Sequence, residues 1–241
     1  EQYNYDDALN FYREVIKEGS NEYREESLVK ASQILINKGL DQDAIILLEE
    51  LFQIAIFPEN QRYAQFNLMN AYYRSNNFKK ALDVVQKVLE IKQLNSKIKW
   101  DAYDILAHAS LKINDSLSAK KAFKVLEKSP IDELAAEAYY FDAYHFFLIK
   151  DYKKSNEIIA NLSQKFSNQP IWAAKSLLLM AKNFYSLEDP FQASYILESL
   201  MENYSQFEEL SIKAKSLLSE IRQKESQQNA SLSKTKDDED L

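Results

Sequence analysis

Asn67-Leu-Met-Asn-Ala-Tyr-Tyr-Arg-Ser-Asn-Asn-Phe-Lys-Lys-Ala-Leu-Asp-Val-Val-Gln-Lys-Val-Leu-Glu90 reads as two helices joined by a short turn, and its pattern decides the fold of the whole chain. Its anchor is the small residue Ala81. Small residues recur at matching places, Ala8, Ala44, Ala81, Ala119, Ser155 and Ala193, separated by 36, 37, 38, 36 and 38 residues. A two-helix unit of that length cannot bury its apolar face alone, so copies must stack and supply each other's core.

The same grammar surrounds each anchor. Twelve residues before it stands a small or flexible residue (Ser32, Met69, Ala107, Ala143, Ala181), and nine before it a large apolar one (Leu35, Tyr72, Phe146, Phe184). Three before it there is often an aromatic ring (Tyr5, Phe78, Tyr152). Small residues let two helices approach closely, and rings fill the gap that is left. In the first full repeat Leu28, Ala31, Ser32, Leu35 and Ile36 share one helical face, while Glu25, Lys30 and Lys38 lie off it. Two glycines and four prolines in 241 residues argue against a sheet protein built on tight turns.

These features resemble the tetratricopeptide repeat family over roughly residues 1 to 205. Three positions depart from the family's pattern: Ser110 replaces an expected aromatic, and Asp41 and Ser116 stand where Phe78 and Tyr152 stand in other repeats. The resemblance implies an all-α, right-handed α-α superhelix, a solenoid of about five helix-turn-helix repeats with a leading half repeat and a C-terminal capping helix. The expected boundaries are 1–18 for the second helix of a truncated repeat, then repeats at 22–57, 59–94, 97–128, 130–167 and 170–205. A capping helix at 207–225 and a disordered acidic tail at 226–241 follow.

Punctuation agrees with these boundaries. Pro58, Pro130 and Pro170 each fall between a second helix and the next first helix, where a fixed φ and a missing amide hydrogen are tolerated. Ser129-Pro130-Ile131-Asp132-Glu133 combines a hydroxyl cap, proline in the first turn and two acids at the positive end of the helix dipole. Pro190 differs, since it lies in a turn within a repeat. Leu210, Ala214, Leu217, Leu218 and Ile221 form a single apolar stripe, as a terminal helix sealing the last repeat requires. The chain opens inside a repeat and does not begin with methionine, so it is expected to be the C-terminal part of a longer protein.

Composition narrows the chemistry. There is no cysteine, so thiol catalysis, disulfides and cysteine-based metal sites are excluded in this sequence. No glycine-rich phosphate loop, HExxH pair or dinucleotide fingerprint occurs. His108 and His145 are the two imidazoles; Asp142 shares a helical face with His145, but packing or surface contact is the expected role for such a pair. An enzyme would need Asp104, His108, Asp142 and His145 to converge, and no catalysis, metal or cofactor is expected. Net charge is −7, and it stays negative without the acidic end Lys234–Leu241, so nucleic acid is not an expected partner. Lys79-Lys80, Lys120-Lys121 and Lys153-Lys154 read as solubilising helix starts whose stems cover apolar surface. No stretch reads as a membrane span, so no membrane insertion by this segment is expected.

A binding surface remains. In proteins of the family resembled, first helices line a concave groove that holds a peptide or a partner helix, and by position this assigns partner contacts to Asn70, Tyr73, Arg74, His108, Lys112, Tyr140, Tyr144, Lys182 and Tyr185. Gln33, Asn37, Tyr63, Asp104 and Phe147 fall on the same face. The set mixes aromatic anchors with hydrogen-bond donors, as binding hot spots do. Tyr73, Phe147 and Tyr185 also lie where repeats meet, so core and contact are both open for them, whereas Asn70, Arg74 and Lys112 read as surface. Chaperone-binding relatives clamp a terminal carboxylate with several lysines and asparagines; Asn70 alone fits, so chaperone docking is not expected. The expected function is a protein-interaction scaffold for a protein or peptide, with membership of a multiprotein complex. Alternatives are an architectural spacer or oligomerisation element, or a helical accessory region of an enzyme whose catalytic domain lies upstream. Long helices and the run Lys182–Tyr204 resemble C-terminal arrays of large Bacteroidetes-type envelope proteins, which implies a periplasmic or outer-membrane-associated location, the cytoplasm being the alternative.

Overall fold

A computed structural model of the chain describes residues 4–239, with side chains as far as residue 227. The described residues form twelve helices and no strand. They are α1 (Tyr5–Lys17), α2 (Arg24–Asn37), α3 (Asp41–Ile54), α4 (Pro58–Arg74), α5 (Phe78–Leu89) and α6 (Ser96–Lys112). There follow α7 (Ser116–Leu126), α8 (Asp132–Leu148), α9 (Tyr152–Lys165), α10 (Pro170–Ser186), α11 (Pro190–Asn203) and α12 (Glu208–Glu239). This is an all-α helical repeat.

The turn inside each repeat is built identically five times. Gly39, Asn76, Asn114, Lys150 and Glu188 take positive φ, between 60° and 71°. Each lets the next amide reach back to a first-helix carbonyl: Leu40 to Leu35, Asn77 to Tyr72, Asp115 to Ser110, Asp151 to Phe146 and Asp189 to Phe184, at 2.8–2.9 Å. These are the 6→1 bonds of a Schellman end, which satisfy carbonyls that a helix terminus leaves bare. The next residue then starts the second helix. Asp115, Asp151 and Asp189 accept the backbone amides of Ser118, Lys154 and Gln192 at 3.0–3.1 Å, so one short turn both closes one helix and caps another.

Proline opens α4, α10 and α11 in the first turn. The Ser129 cap differs from expectation. α8 starts at Asp132 after Ile131, and the Ser129 hydroxyl accepts the Ile131 amide at 3.0 Å, two residues before the N-cap position and so too early to bond the helix itself. Pro130 therefore stiffens the approach to the helix and is not part of it. α12 also differs, because it continues to Glu239 where a disordered tail is expected from residue 226. No glycine or proline follows Pro190, so nothing in the sequence ends the helix once Leu210–Ile221 has nucleated it. Residues 240 and 241 lie outside the described residues.

The chain divides into two compact units, one ending at Val125 and the other beginning at Leu126. In the first, α2, α4 and α6 pack side by side; α1 packs on α2, α3 lies on both α2 and α4, and α5 on both α4 and α6. In the second, α8, α10 and α12 are neighbours, α9 lies on α8 and α10, and α11 on α10 and α12. Each unit is thus a layer of first helices against a layer of second helices. The anchors sit at the seams: Ala44, Ala81, Ala119, Ser155 and Ala193 are fully buried. Ala8 is partly exposed, with no first helix before it among the described residues. Leu48, Leu51, Leu162, Leu197 and Leu200 are fully buried beside the anchors, and truncating such a leucine to alanine costs about 2–5 kcal/mol.

Candidate functional site

The first-helix layer places the predicted contact residues on two surfaces of different chemistry. In the first unit the surface is polar. Gln33 and Asn37 on α2 and Lys112 on α6 are exposed, and no bond or ion pair holds Lys112 among the described residues. Asn70 is half-buried and donates its side-chain amide to the Phe66 carbonyl one turn back, at 2.9 Å. Tyr73 is half-buried with its ring edge-on to Phe78, 5.9 Å between centroids. His108 places Nε2 3.2 Å from Asp104 Oδ1 on the preceding turn and sets its ring edge-on to Phe123 at 5.6 Å.

Arg74 reads as surface from the sequence and is in fact gripped. Its Nε reaches both Asp41 oxygens at 3.0 and 2.9 Å, and Nη2 reaches Oδ1 at 2.6 Å. Hydrogen bonding to Asp41 raises the guanidinium pKa further, and the charge is spent inside the molecule. This explains why Asp41 occupies a position that other repeats give to a ring. It ties repeat one to repeat two by a forked ion pair, whereas Phe78 and Tyr152 set their rings against Tyr73 and Phe147 of their own repeats.

In the second unit the surface is aromatic and basic. Tyr140, Tyr144 and Phe147 follow one face of α8, with Tyr140 stacked on Tyr144 at 6.4 Å and 11°, and Tyr144 on Phe147 at 6.0 Å and 23°. The row is extended at one end by Trp172, which the sequence alone did not single out, and at the other by Tyr152, which the sequence marks only as a ring near the turn. Trp172 of α10 tilts against Tyr140 at 5.6 Å, and Tyr152 of α9 against Phe147 at 5.8 Å. Burial pushes the Tyr140 phenol upward, whereas Tyr144 stays 39% exposed. Lys175 stands 3.8 Å above the Trp172 ring. Lys182 on α10 and Lys215 on α12 are exposed, with no carboxylate partner among the described residues. Tyr185 is half-buried under Lys224, whose Nζ lies 5.2 Å from its ring and 2.9 Å from Glu220.

The structure therefore brings Tyr140, Tyr144 and Phe147 into one ladder and leaves Lys182, on the neighbouring helix α10, without a carboxylate partner among the described residues, while Arg74, Tyr73 and His108 are engaged by Asp41, Phe78 and Asp104. Asp142 and His145 lie on α8 of the second unit, and Asp104 and His108 on α6 of the first. Lys80 and Lys154, from the paired lysines at helix starts, bond Glu49 at 2.8 Å and Glu157 at 2.7 Å. Among the described residues no helix is long and apolar enough to cross a membrane.

Comparison with solved structures gives the architecture its name. YrrB, a TPR protein with an unusual peptide-binding site, superposes with a TM-score of 0.59 over 85% of this chain and 97% of its own, at 14% identity. This chain has the tetratricopeptide-repeat fold. A TPR protein from Parabacteroides merdae (14% identity, 88% of this chain and 93% of its own, TM-score 0.49) and a thermophilic TPR protein of Thermus thermophilus (14%, 80% and 98%, 0.42) are also similar. No family model and no curated protein matches the chain.

Proposed function

We propose that this TPR-fold chain is a protein-interaction scaffold that binds an extended peptide or a partner segment on its first-helix face, with no catalysis in this segment. The observation that carries the proposal is the ladder of Tyr140, Tyr144 and Phe147, with Tyr144 partly exposed and the unpaired Lys182 on the neighbouring helix. Stacked rings give large contact area at low entropic cost, and an unpaired ammonium beside them supplies attraction for a carboxylate. The peptide-binding site of YrrB supports the use of this fold for peptides.

Selection of a displayed random-peptide library on the whole chain tests the proposal. Selected peptides should bind the Tyr144→Ala and Lys182→Ala variants about tenfold or more weakly, a loss of roughly 1.4 kcal/mol or greater, with the unfolding midpoint unchanged. A selection in which no peptide loses affinity for these variants would contradict it.

One observation favours a second, architectural role in a multiprotein complex. Phe191 and Tyr195, one turn apart on α11, are 75% and 65% exposed on the second-helix layer, a place where apolar surface marks an interface. An envelope location, periplasmic or outer-membrane-associated, belongs to the same proposal, with the cytoplasm as alternative; fractionation of the source cells decides between them.

A further inference from the structure

One position in the repeat is filled by a large apolar side chain everywhere but once. Four residues before the small first-helix residue stand Leu28, Tyr103, Tyr139 and Leu177 in four of the five full repeats, and Leu210 in α12. In the second repeat the equivalent residue is Gln65. The consequence is a hole. Gln65 lines a cavity of about 360 Å³ in the first unit, open to solvent between the second helices α3 and α5 and floored by α4. Leu68 and Tyr72, each 5% exposed, form the floor, and Phe52 and Val84 form the walls. That volume lies at the lower end of the range of roughly 300–1,000 Å³ typical of small-ligand pockets, enough for one large side chain and its surroundings.

The rim has a sign. The Glu49 carboxylate is already satisfied, accepting the Tyr72 hydroxyl and the Lys80 ammonium, and these bonds hold it below the usual carboxylate range. Burial and the Glu49 carboxylate push the Tyr72 phenol up to about 12, so it stays a neutral donor. Lys87, on the opposite rim, is exposed and has no carboxylate partner among the described residues. The Gln65 amide makes no hydrogen bond among the described residues, which leaves a donor and an acceptor at the mouth.

We infer that this outer pocket is a second docking site, independent of the first-helix face, and that it takes one phenylalanine, tyrosine or leucine side chain of a partner helix that carries an acidic residue one turn away. A helix fits because the hole lies in the trough between two second helices, where a third can lay one ridge. The partner's carboxylate meets Lys87, and its ring or isobutyl group replaces the knob that the second repeat lacks. Filling the hole with a side chain from outside restores the packing that the other repeats achieve internally.

The test is an amide-resolved NMR titration of the whole chain with an alanine-based helical peptide carrying one phenylalanine and a glutamate four residues away. Shifts confined to Phe52, Leu68, Val84 and Lys87 are expected, and the same peptide with alanine for phenylalanine should give none. Gln65→Leu, which installs the side chain other repeats use, should leave the unfolding midpoint equal or higher and weaken the peptide about tenfold or more. Lys87→Glu should weaken it about threefold or more, and changing the peptide's glutamate to lysine should restore the affinity. Tyr144→Ala and Lys182→Ala should leave this binding intact, so loss of the first-helix site and loss of the outer site are separable. Equal binding by Gln65→Leu, no shifts up to about 1 mM peptide, or shifts with free phenol and none with the peptide would each overturn the proposal.

Discussion

Single residues decide whether each repeat's turn is relaxed or strained. Five residues share the left-handed conformation, and glycine or asparagine supplies it at 39, 76 and 114, residue types that tolerate positive φ. Lys150 and Glu188 adopt it with a full side chain, at φ 64° and 62°. Lys150→Gly and Glu188→Gly should therefore each stabilise the chain by about 1 kcal/mol, read as a higher midpoint in urea unfolding with the slope unchanged. A lower midpoint would show that the side chains contribute more than the strain costs. Glu49 supplies a pH dependence. Its carboxyl is held below the usual range by Lys80 and Tyr72, so its stabilisation is present above the unfolded value of about 4.3 and is lost as pH falls through the lower folded value. Thermal unfolding of Glu49→Gln and wild type should converge as pH drops below about 4, the wild type being the more stable at neutral pH. A gap that persists at low pH would contradict the pairing. The residue scale is also where the sequence is hardest to read. Ser155 is visible as a small anchor, but the reason for serine is Asn183, 28 residues later, whose amide donates to its hydroxyl at 2.8 Å in a fully buried contact. Neither residue announces the other.

Elements were legible in proportion to how local their signals are. The recurrence of small residues and the position of the turns follow from period alone, because a helix pair that must stack repeats its contact residues at the same places. The Arg74–Asp41 pair was hidden, since it joins a helix start in one repeat to a helix end in the next. Trp172 was hidden for a similar reason: it opens α10 and meets Tyr140 across two helices that only the stacking register brings together. Gln65 could have been found, because writing the repeats one above another exposes a glutamine in a column of leucine and tyrosine. α12 shows the limit of composition as a guide. Its polar end reads as tail, yet nothing breaks the helix that Leu210, Ala214, Leu218 and Ile221 anchor. Removing residues 226–241 should lower the helical circular dichroism in proportion to the residues lost and leave the unfolding midpoint unchanged, because the apolar stripe ends at Ile221. A drop in the midpoint would mean that the distal turns pack on something.

At the scale of the whole molecule, a stack of repeats presents two faces with separate chemistry, and each unit carries its own version. Polar amides and Lys112 mark the first-helix face of the first unit; rings and unpaired lysines mark that of the second. The stack is legible from sequence, and so is the first-helix face as a place. What that face holds is not, because a helix repeat folds equally well with many surfaces, so the stacking pattern does not constrain the exposed side chains. The most direct measurement is paramagnetic relaxation enhancement with a spin label on a library-selected peptide bound to the whole chain. Broadening should be strongest at Tyr144, Lys182 and their neighbours on α8 and α10, and weaker on α9 and α11, which lie behind them. Broadening centred on α9 and α11 instead would contradict it, and would show that the chain presents its second-helix layer to its partners.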